Sequence, residues 1–424
     1  MCQNENFEVH PLWFLRIRAE QKQKNLEWNF NIQDNMIKDK VRGCLIAGAA
    51  GDALGYEVEF MSRGAIMSRF GEHGITKFAL RNGKALISDD TQMTLFTANG
   101  MLMGLTRGYM RGIGGRPEKY VRDAYLDWYY TQTGNSNVRV GHTWLCDLPE
   151  LKECRAPGNT CLQACASLFK GEKVQNNSKG CGGIMRVAPM ALLSAGFVSR
   201  NERGYTIEEL AEAGGEIAEC THKHPLGFLP ASLLTVLLYK IVPLSINQVK
   251  EKIGCIVSET VNLLDCIYKD KYESDKRYLK ELTNRAMYLA HSDVSDIDAI
   301  RQLGEGWVAE ETWAIALYCA IRHIDSVEDA IIASVNHDGD SDSTGSVCGN
   351  IMGAIYGYEH IKKHNIFCPE GKELEEILEL SEIILALAED LSTGCVINEY
   401  DPIDTPEKQQ WYERYCEMKP SGIG

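Results

Sequence analysis

Two short strings hold the acids best placed to do chemistry. The first is Ser88-Asp89-Asp90-Thr91, followed by QMTLFTANGMLMGL, a stretch with helical periodicity. The second is Asp338-Gly339-Asp340-Ser341-Asp342-Ser343-Thr344, followed by GSVCGNIMGAIYG. Each sets adjacent carboxylates and hydroxyls at the start of a helix, where a single acid is ordinary because it complements the helix dipole. Two or three acids backed by apolar sequence repel one another unless something positive neutralises them. Hard oxygen ligands of this kind suit Mg²⁺ or Mn²⁺, with waters completing the shell. Each string alone reads equally well as an over-capped helix with solvated acids. Both together favour a dinuclear oxygen-ligand site.

A third feature is Ser178-Lys179-Gly180-Cys181-Gly182-Gly183, which runs straight into the helical pattern IMRVAPMALL. Glycine runs let backbone N–H groups converge on an anion. The string lacks the Gly-Lys-[Ser/Thr] ending of a phosphate loop and follows no clear strand, so a plain turn explains it too. In CTHKHP, Cys220, His222 and His224 have the wrong spacing for zinc and no second pair, which favours pocket lining or helix capping. HExxH, CxxC and GxSxG do not occur, which removes support for zinc peptidases, thioredoxin-like redox chemistry and nucleophile-elbow hydrolases.

The elements that must position these groups read as helices. Gly345, Gly349, Gly353 and Gly357 recur every four residues and leave one bare stripe, the signature of close helix packing. A related pattern, Ala47, Gly51 and Gly55, precedes the acids Glu57 and Glu59. Thr206-x-x-Glu209, Ser295-x-x-Asp298 and Ser326-x-x-Asp329 each place a cap and an acid three residues on. Thr405-Pro406 puts proline at the first position of a last, aromatic helix. Leu229–Tyr239 and Glu311–Arg322 read as buried apolar helices. Asn82-Gly83 turns a short hairpin at most. The expected fold is all-α, a compact single-domain helical bundle over residues 39–400. A polar extension (1–38) carrying Phe7, Trp13, Phe14, Trp28 and Phe30 precedes it, and a C-terminal helix and tail (401–424) follow.

The 424 residues carry a net charge of −15, with 44% hydrophobic and 24% charged residues. That balance is globular, and the acidic surface argues against nucleic acid as a partner. No secretory signal opens the chain, and Pro225–Tyr239 is too short to span a bilayer, so no membrane partner is expected. Fifteen cysteines without framework spacing fit free thiols in a reducing, cytoplasmic setting.

GDALGYEVEFM, SDDTQM, SKGCGGIMRVAP, THKHPLG, GWVAEETWAIALY and GDSDSTG, in that order, resemble the ADP-ribosylglycohydrolase family over about Val41 to His360. The resemblance implies an all-α fold with two Mg²⁺ (or Mn²⁺) ions at the base of a cleft for ADP-ribose. It implies Ser88, Asp89, Asp90, Asp340, Asp342 and Ser343 as metal ligands, with Asp89, Asp90 and Asp342 also serving catalysis. Glu59 matches a mobile glutamate near the metals, with Glu57 its less favoured neighbour. Ser178, Lys179, Gly180, Cys181 and Gly182 match the loop that cradles the diphosphate, and His222 a substrate-side histidine. Asn159 and Thr160 match a loop near the ribose or adenine, and Trp307 borders the cleft. Lys179 and Cys181 depart from relatives that carry an aromatic residue and asparagine there.

The implied reaction is hydrolysis of the bond between ADP-ribose and a protein side chain, arginine foremost, through an oxocarbenium-like state. The implied partners are an ADP-ribosylated protein and ADP-ribose itself. The alternative is an immunity or regulatory protein that blocks an ADP-ribosyltransferase toxin through its N-terminal extension.

Overall fold

Glycine at every fourth position determines how close two helices can come, and here it sets the central seam. The computed structural model describes residues 12–112, 114–134, 143–200 and 202–416, with side chains of the first helix described from residue 33 onward. Helix Leu12–Tyr56 and helix Ser341–Tyr356 meet backbone to backbone. A Cβ added to Gly349 would lie 2.1 Å from the Ala47 carbonyl oxygen, and one on Gly353 2.1 Å from that of Gly43. Asn350 Nδ2 donates to the Cys44 carbonyl at 2.9 Å across the same seam. Such contact rewards glycine despite its cost to helix propensity.

Around this pair lie helices that are largely apolar and packed on most of their faces. Pro225–Ile241 and Ala309–Arg322 are buried along nearly their whole length. Farther out, Ile246–Tyr268 and Glu273–Ala290 bury one stripe and expose the other, as their polar and apolar residues alternate at helical spacing. The apolar run Cys181–Ser199 matches a membrane span in length, but it is largely buried in the core.

Thr206 and Glu209 close a full capping box, and Ser295, Ser326 and Thr405 each cap the helix that follows. Asn82 and Gly83 take positive φ and join Arg81 to Lys84 by two backbone bonds of 2.8 and 3.0 Å. The hairpin stops at that bridge, and the described residues contain no β-strand. The all-α expectation therefore holds. The first helix runs unbroken through residue 38. The aromatic side chains Phe7, Trp13, Phe14, Trp28 and Phe30 of the polar extension, on which a docking role would rest, lie outside the described residues.

Candidate active site

The first acidic string sits where helix Asp89–Arg111 begins. Ser88 is its N-cap, and the Ser88 hydroxyl accepts from the Asp90 amide at 3.2 Å. A carboxylate from the first helix completes the capping. Asp52, fully buried, accepts from the Ser88 amide at 3.0 Å, the Thr91 amide at 3.1 Å and the Thr91 hydroxyl. Asp89 is fixed at both ends: its amide donates to the Arg155 carbonyl at 3.0 Å, and its Oδ2 accepts from the Gly158 amide at 3.2 Å. Arg155 in turn pairs with Glu379 at 3.1 Å, which accepts from the Ile87 amide.

The second string begins helix Ser341–Tyr356. Asp340 is the N-cap, and the Ser343 amide lies 3.2 Å from Asp340 Oδ1 and 2.9 Å from Asp342 Oδ1. Gly55 packs on the Ser341 carbonyl, where a Cβ would come within 2.2 Å, so this turn is pressed against the end of the first helix. The Cys181 thiol lies beside Asp340 and Ser343, which brings the glycine loop to the same place.

Both strings therefore converge. Burial first, and then the nearby Asp342 carboxylate, pushes Asp52, Glu59, Asp89, Asp90 and Asp340 above the usual carboxylate range. Asp90 Oδ2 and Glu59 Oε2 are buried without a hydrogen-bond partner among the described residues. Orphaned oxygens among mutually repelling buried acids are what a hard divalent cation relieves, so the donor set fits Mg²⁺ or Mn²⁺. Among the described residues no three His, Cys, Asp or Glu side chains already close on one point. Serine hydroxyls and water would therefore have to complete each shell, as is usual for Mg²⁺.

Glu57 and Glu59 are two residues apart and face different surroundings. Glu57 pairs with Arg69 and with Arg81 Nη2, the latter at 2.7 Å, so its charge is already neutralised by arginine. Glu59 is buried, unpaired at Oε2, and faces Asp342, Asp340 and Asp89. Phe60, 74% exposed, stacks on Trp307 with ring centroids 6.1 Å apart, so the Glu59 segment touches the Trp307 segment at the rim.

The glycine loop is tied in on several sides. The Cys181 amide donates to the Trp307 carbonyl at 3.2 Å, and the Ala309 amide to the Lys179 carbonyl at 2.7 Å. Ser178 accepts at its hydroxyl from the Gly180 amide at 3.3 Å and lies 3.1 Å from the Thr160 hydroxyl. The Ser178 amide itself donates to Asn176. Three amides of the loop are thus engaged within the protein, leaving those of Lys179 and Gly182 better placed for an anion. The Lys179 ammonium pairs with buried Glu310. His222 lies against Gly180 and Gly182, while His224 caps helix Pro225–Ile241 by accepting from the Leu226 amide at 3.0 Å. Asn159 is exposed at the head of helix Asn159–Phe169, one residue from Gly158 and its bond to Asp89.

Sequence reasoning overlooked Asp52, Arg155 and Arg186. Asp52 lies inside GDALG, but one acid among small residues carries no chemical signature. Arg186 is fully buried with its guanidinium 4.4 Å over the Tyr125 ring, and only its place in an otherwise apolar run marked it.

The ADP-ribosylglycohydrolase family profile matches residues 33–396. ADP-ribosylhydrolase ARH3 of Homo sapiens is 24% identical over 50% of this chain, an alignment that spans 61% of that relative. The ADP-ribosyl-[dinitrogen reductase] glycohydrolase of Rhodospirillum rubrum is 24% identical over 83% of this chain and 97% of its own length. ADP-ribosylarginine hydrolase Tri1 of Serratia proteamaculans (strain 568) is 25% identical over 78% of this chain and 75% of its own. A solved structure described as an ADP-ribosylglycohydrolase-related protein complex superposes with a TM-score of 0.51 at 21% identity. It covers 84% of this chain and 98% of that one, a likeness of fold.

Proposed function

The chain belongs to the ADP-ribosylglycohydrolase family, and from that premise we propose that it is a metal-dependent hydrolase releasing ADP-ribose from a modified protein side chain, arginine foremost. The observation that carries the reading is the convergence of the two acidic strings, with orphaned buried oxygens on Asp90 and Glu59. Tri1, an ADP-ribosylarginine hydrolase by name, supports arginine as the linked residue.

Ser88, Asp89, Asp90, Asp340, Asp342 and Ser343 would hold two Mg²⁺ or Mn²⁺ ions. When bound, the ions supply charge neutralisation and Lewis acidity at the distal ribose. Glu59 does the proton work. Burial favours its neutral form, so Oε2 holds a proton to hand to the leaving nitrogen and, once ionised, takes one from the incoming water. The Ser178–Gly182 loop, with Thr160 and His222 behind it, binds the diphosphate and orients the sugar, and Trp307 and Phe60 close the rim.

The test is release of free ADP-ribose from an arginine-ADP-ribosylated protein with Mg²⁺, with chelator, and with Asp340→Ala plus Asp342→Ala. Release that needs both the metal and the two acids is expected. Measurable ADP-ribose binding without release from arginine-, serine- or nucleic-acid-linked substrates would sink the reading.

A further inference from the structure

We propose that Thr221, anchored by the buried guanidinium of Arg186, fixes His222 as the neutral tautomer that carries its proton on Nε2. The ring then presents one oriented N–H donor to a ligand oxygen at the Gly180–Gly182 loop. The ligand half of this proposal rests on reading that loop as the ADP-ribose side of the cleft.

Arg186 is fully buried, and its described contacts are neutral: Met93 Sδ at 3.3 Å, Cys161 Sγ at 3.4 Å, the Ile217 carbonyl at 3.5 Å and the Thr221 hydroxyl. A guanidinium only donates, so the Thr221 oxygen must accept from it and has a single proton of its own to place. Two acceptors compete for that proton. His222 Nδ1 lies at 2.8 Å and the Ala218 carbonyl at 3.4 Å, the latter beyond a normal hydroxyl bond. Cys161, whose thiol also borders the Thr221 hydroxyl, is a weak acceptor.

The shorter contact decides the assignment: Thr221 donates to Nδ1, and the ring proton goes to Nε2. Electrostatics agree. An Nδ1–H would aim its positive end at the hydroxyl already held by a cation. Burial, and secondarily Arg186, also keeps the ring uncharged, with its pKa pushed down to about 3.

The donor edge faces the loop. A Cβ on Gly180 would lie 3.1 Å from Nε2, and one on Gly182 3.0 Å from Cε1 and 3.4 Å from Nε2. Glycine at both positions leaves that edge uncovered. Among the described residues Nε2 has no hydrogen-bond partner. A fixed donor without a partner at the edge of a phosphate-sized loop suits a phosphate or hydroxyl oxygen of ADP-ribose.

Ring ¹⁵N shifts of the histidine-labelled full chain test this directly, with the His222 signals identified by their loss in His222→Asn. The expected wild-type spectrum shows a protonated Nε2 and a bare Nδ1, unchanged between pH 8 and pH 5. Thr221→Val should mix the tautomers and weaken ADP-ribose binding about tenfold in titration calorimetry, and Thr221→Ser should restore both. A wild-type ring protonated at Nδ1 overturns the proposal, and that measurement needs no variant to fold. Weaker binding in Thr221→Val with the tautomer unmoved also overturns it, since Thr221 would then be merely structural. An Nε2-protonated ring in a chain that binds no ADP-ribose upholds the tautomer and overturns the ligand assignment together with the reading it rests on.

Discussion

Two helix heads bring acids to one place, and they are held there by opposite means. The head at Ser88–Asp90 is held by side-chain chemistry: Asp52 takes two amides and a hydroxyl, and Arg155 with Glu379 braces the chain just ahead of it. The head at Asp340–Ser343 is held by bare backbone: Gly55 lies on the Ser341 carbonyl, and Gly51 and Gly345 lie on each other. Both devices come from a single turn of the first helix, Gly51-Asp52-Ala53-Leu54-Gly55. Its two glycines accept one helix by having no side chain, and the aspartate between them accepts the other by having the right one. A turn whose single acid carries no chemical signature in the sequence is therefore scaffold on both sides.

The largest effect should come from filling the bare side. A Cβ at Gly51 lies 2.1 Å from the Gly345 carbonyl oxygen, which belongs to a packed backbone and cannot swing away. Gly51→Val should cost about 4 kcal/mol or more in urea unfolding, the range reserved for gross core overpacking. The polar side should be more forgiving. Asp52→Ala strands three buried donors and should cost about 2–4 kcal/mol, whereas Asp52→Asn keeps one acceptor oxygen and should cost about 1 kcal/mol. Because Asp52 is scaffold, Asp52→Asn should retain stabilisation by Mg²⁺. Its complete loss there would make Asp52 a ligand and undo the contrast.

Much of this was legible in the chain, for identifiable reasons. The glycine stripe at 345, 349, 353 and 357 announces its own packing because four-residue spacing stacks on one helix face. Capping residues such as Thr206 and Ser326 announce helix starts because their bonds are local. The acidic strings were visible because runs of carboxylates before apolar sequence are costly. What stayed hidden depends on contacts across long stretches of chain. The role of Asp52 exists only once Ser88 and Thr91 arrive from 36 and 39 residues away. Arg155 meets Glu379 across 224 residues. The engagement of the Cys181 amide by the Trp307 carbonyl is equally invisible in a glycine count.

The next effect is smaller and carries the opposite sign. In the metal-free chain the acids of the second head are a burden, since Asp342 raises the cost of ionising every neighbour. Asp340→Ala plus Asp342→Ala should therefore unfold at higher urea than the metal-free wild type, by about 1–2 kcal/mol. The same pair should lose the gain from added Mg²⁺, which in the wild type reaches about 2.7 kcal/mol at a hundredfold excess over the dissociation constant. A double variant less stable than the wild type in chelator would mean the acids are structural caps, and the contrast between scaffold and ligand would fail at this head.

The smallest stability effects should come from Glu57 and Glu59, the acids that follow the shared turn, yet they sharpen the comparison most. The Glu57 side chain, itself only 8% exposed, pairs with Arg69 and Arg81, both more than half exposed, so solvent reaches the pairs from the arginine side alone. Glu57→Gln keeps one acceptor oxygen for the arginines, so it should cost about 1 kcal/mol and leave turnover within about threefold. Glu59→Gln removes no hydrogen bond from Oε2, which has none among the described residues, and replaces an acid held in its neutral form by a neutral amide. Its stability should hold or rise slightly while hydrolysis falls about a hundredfold or more, the range for losing a general acid or base. Calorimetric melting beside ADP-ribose release separates the two. Equal losses of turnover in both variants would mean that the segment acts as a unit through its shape, and the assignment of proton transfer to Glu59 would fall.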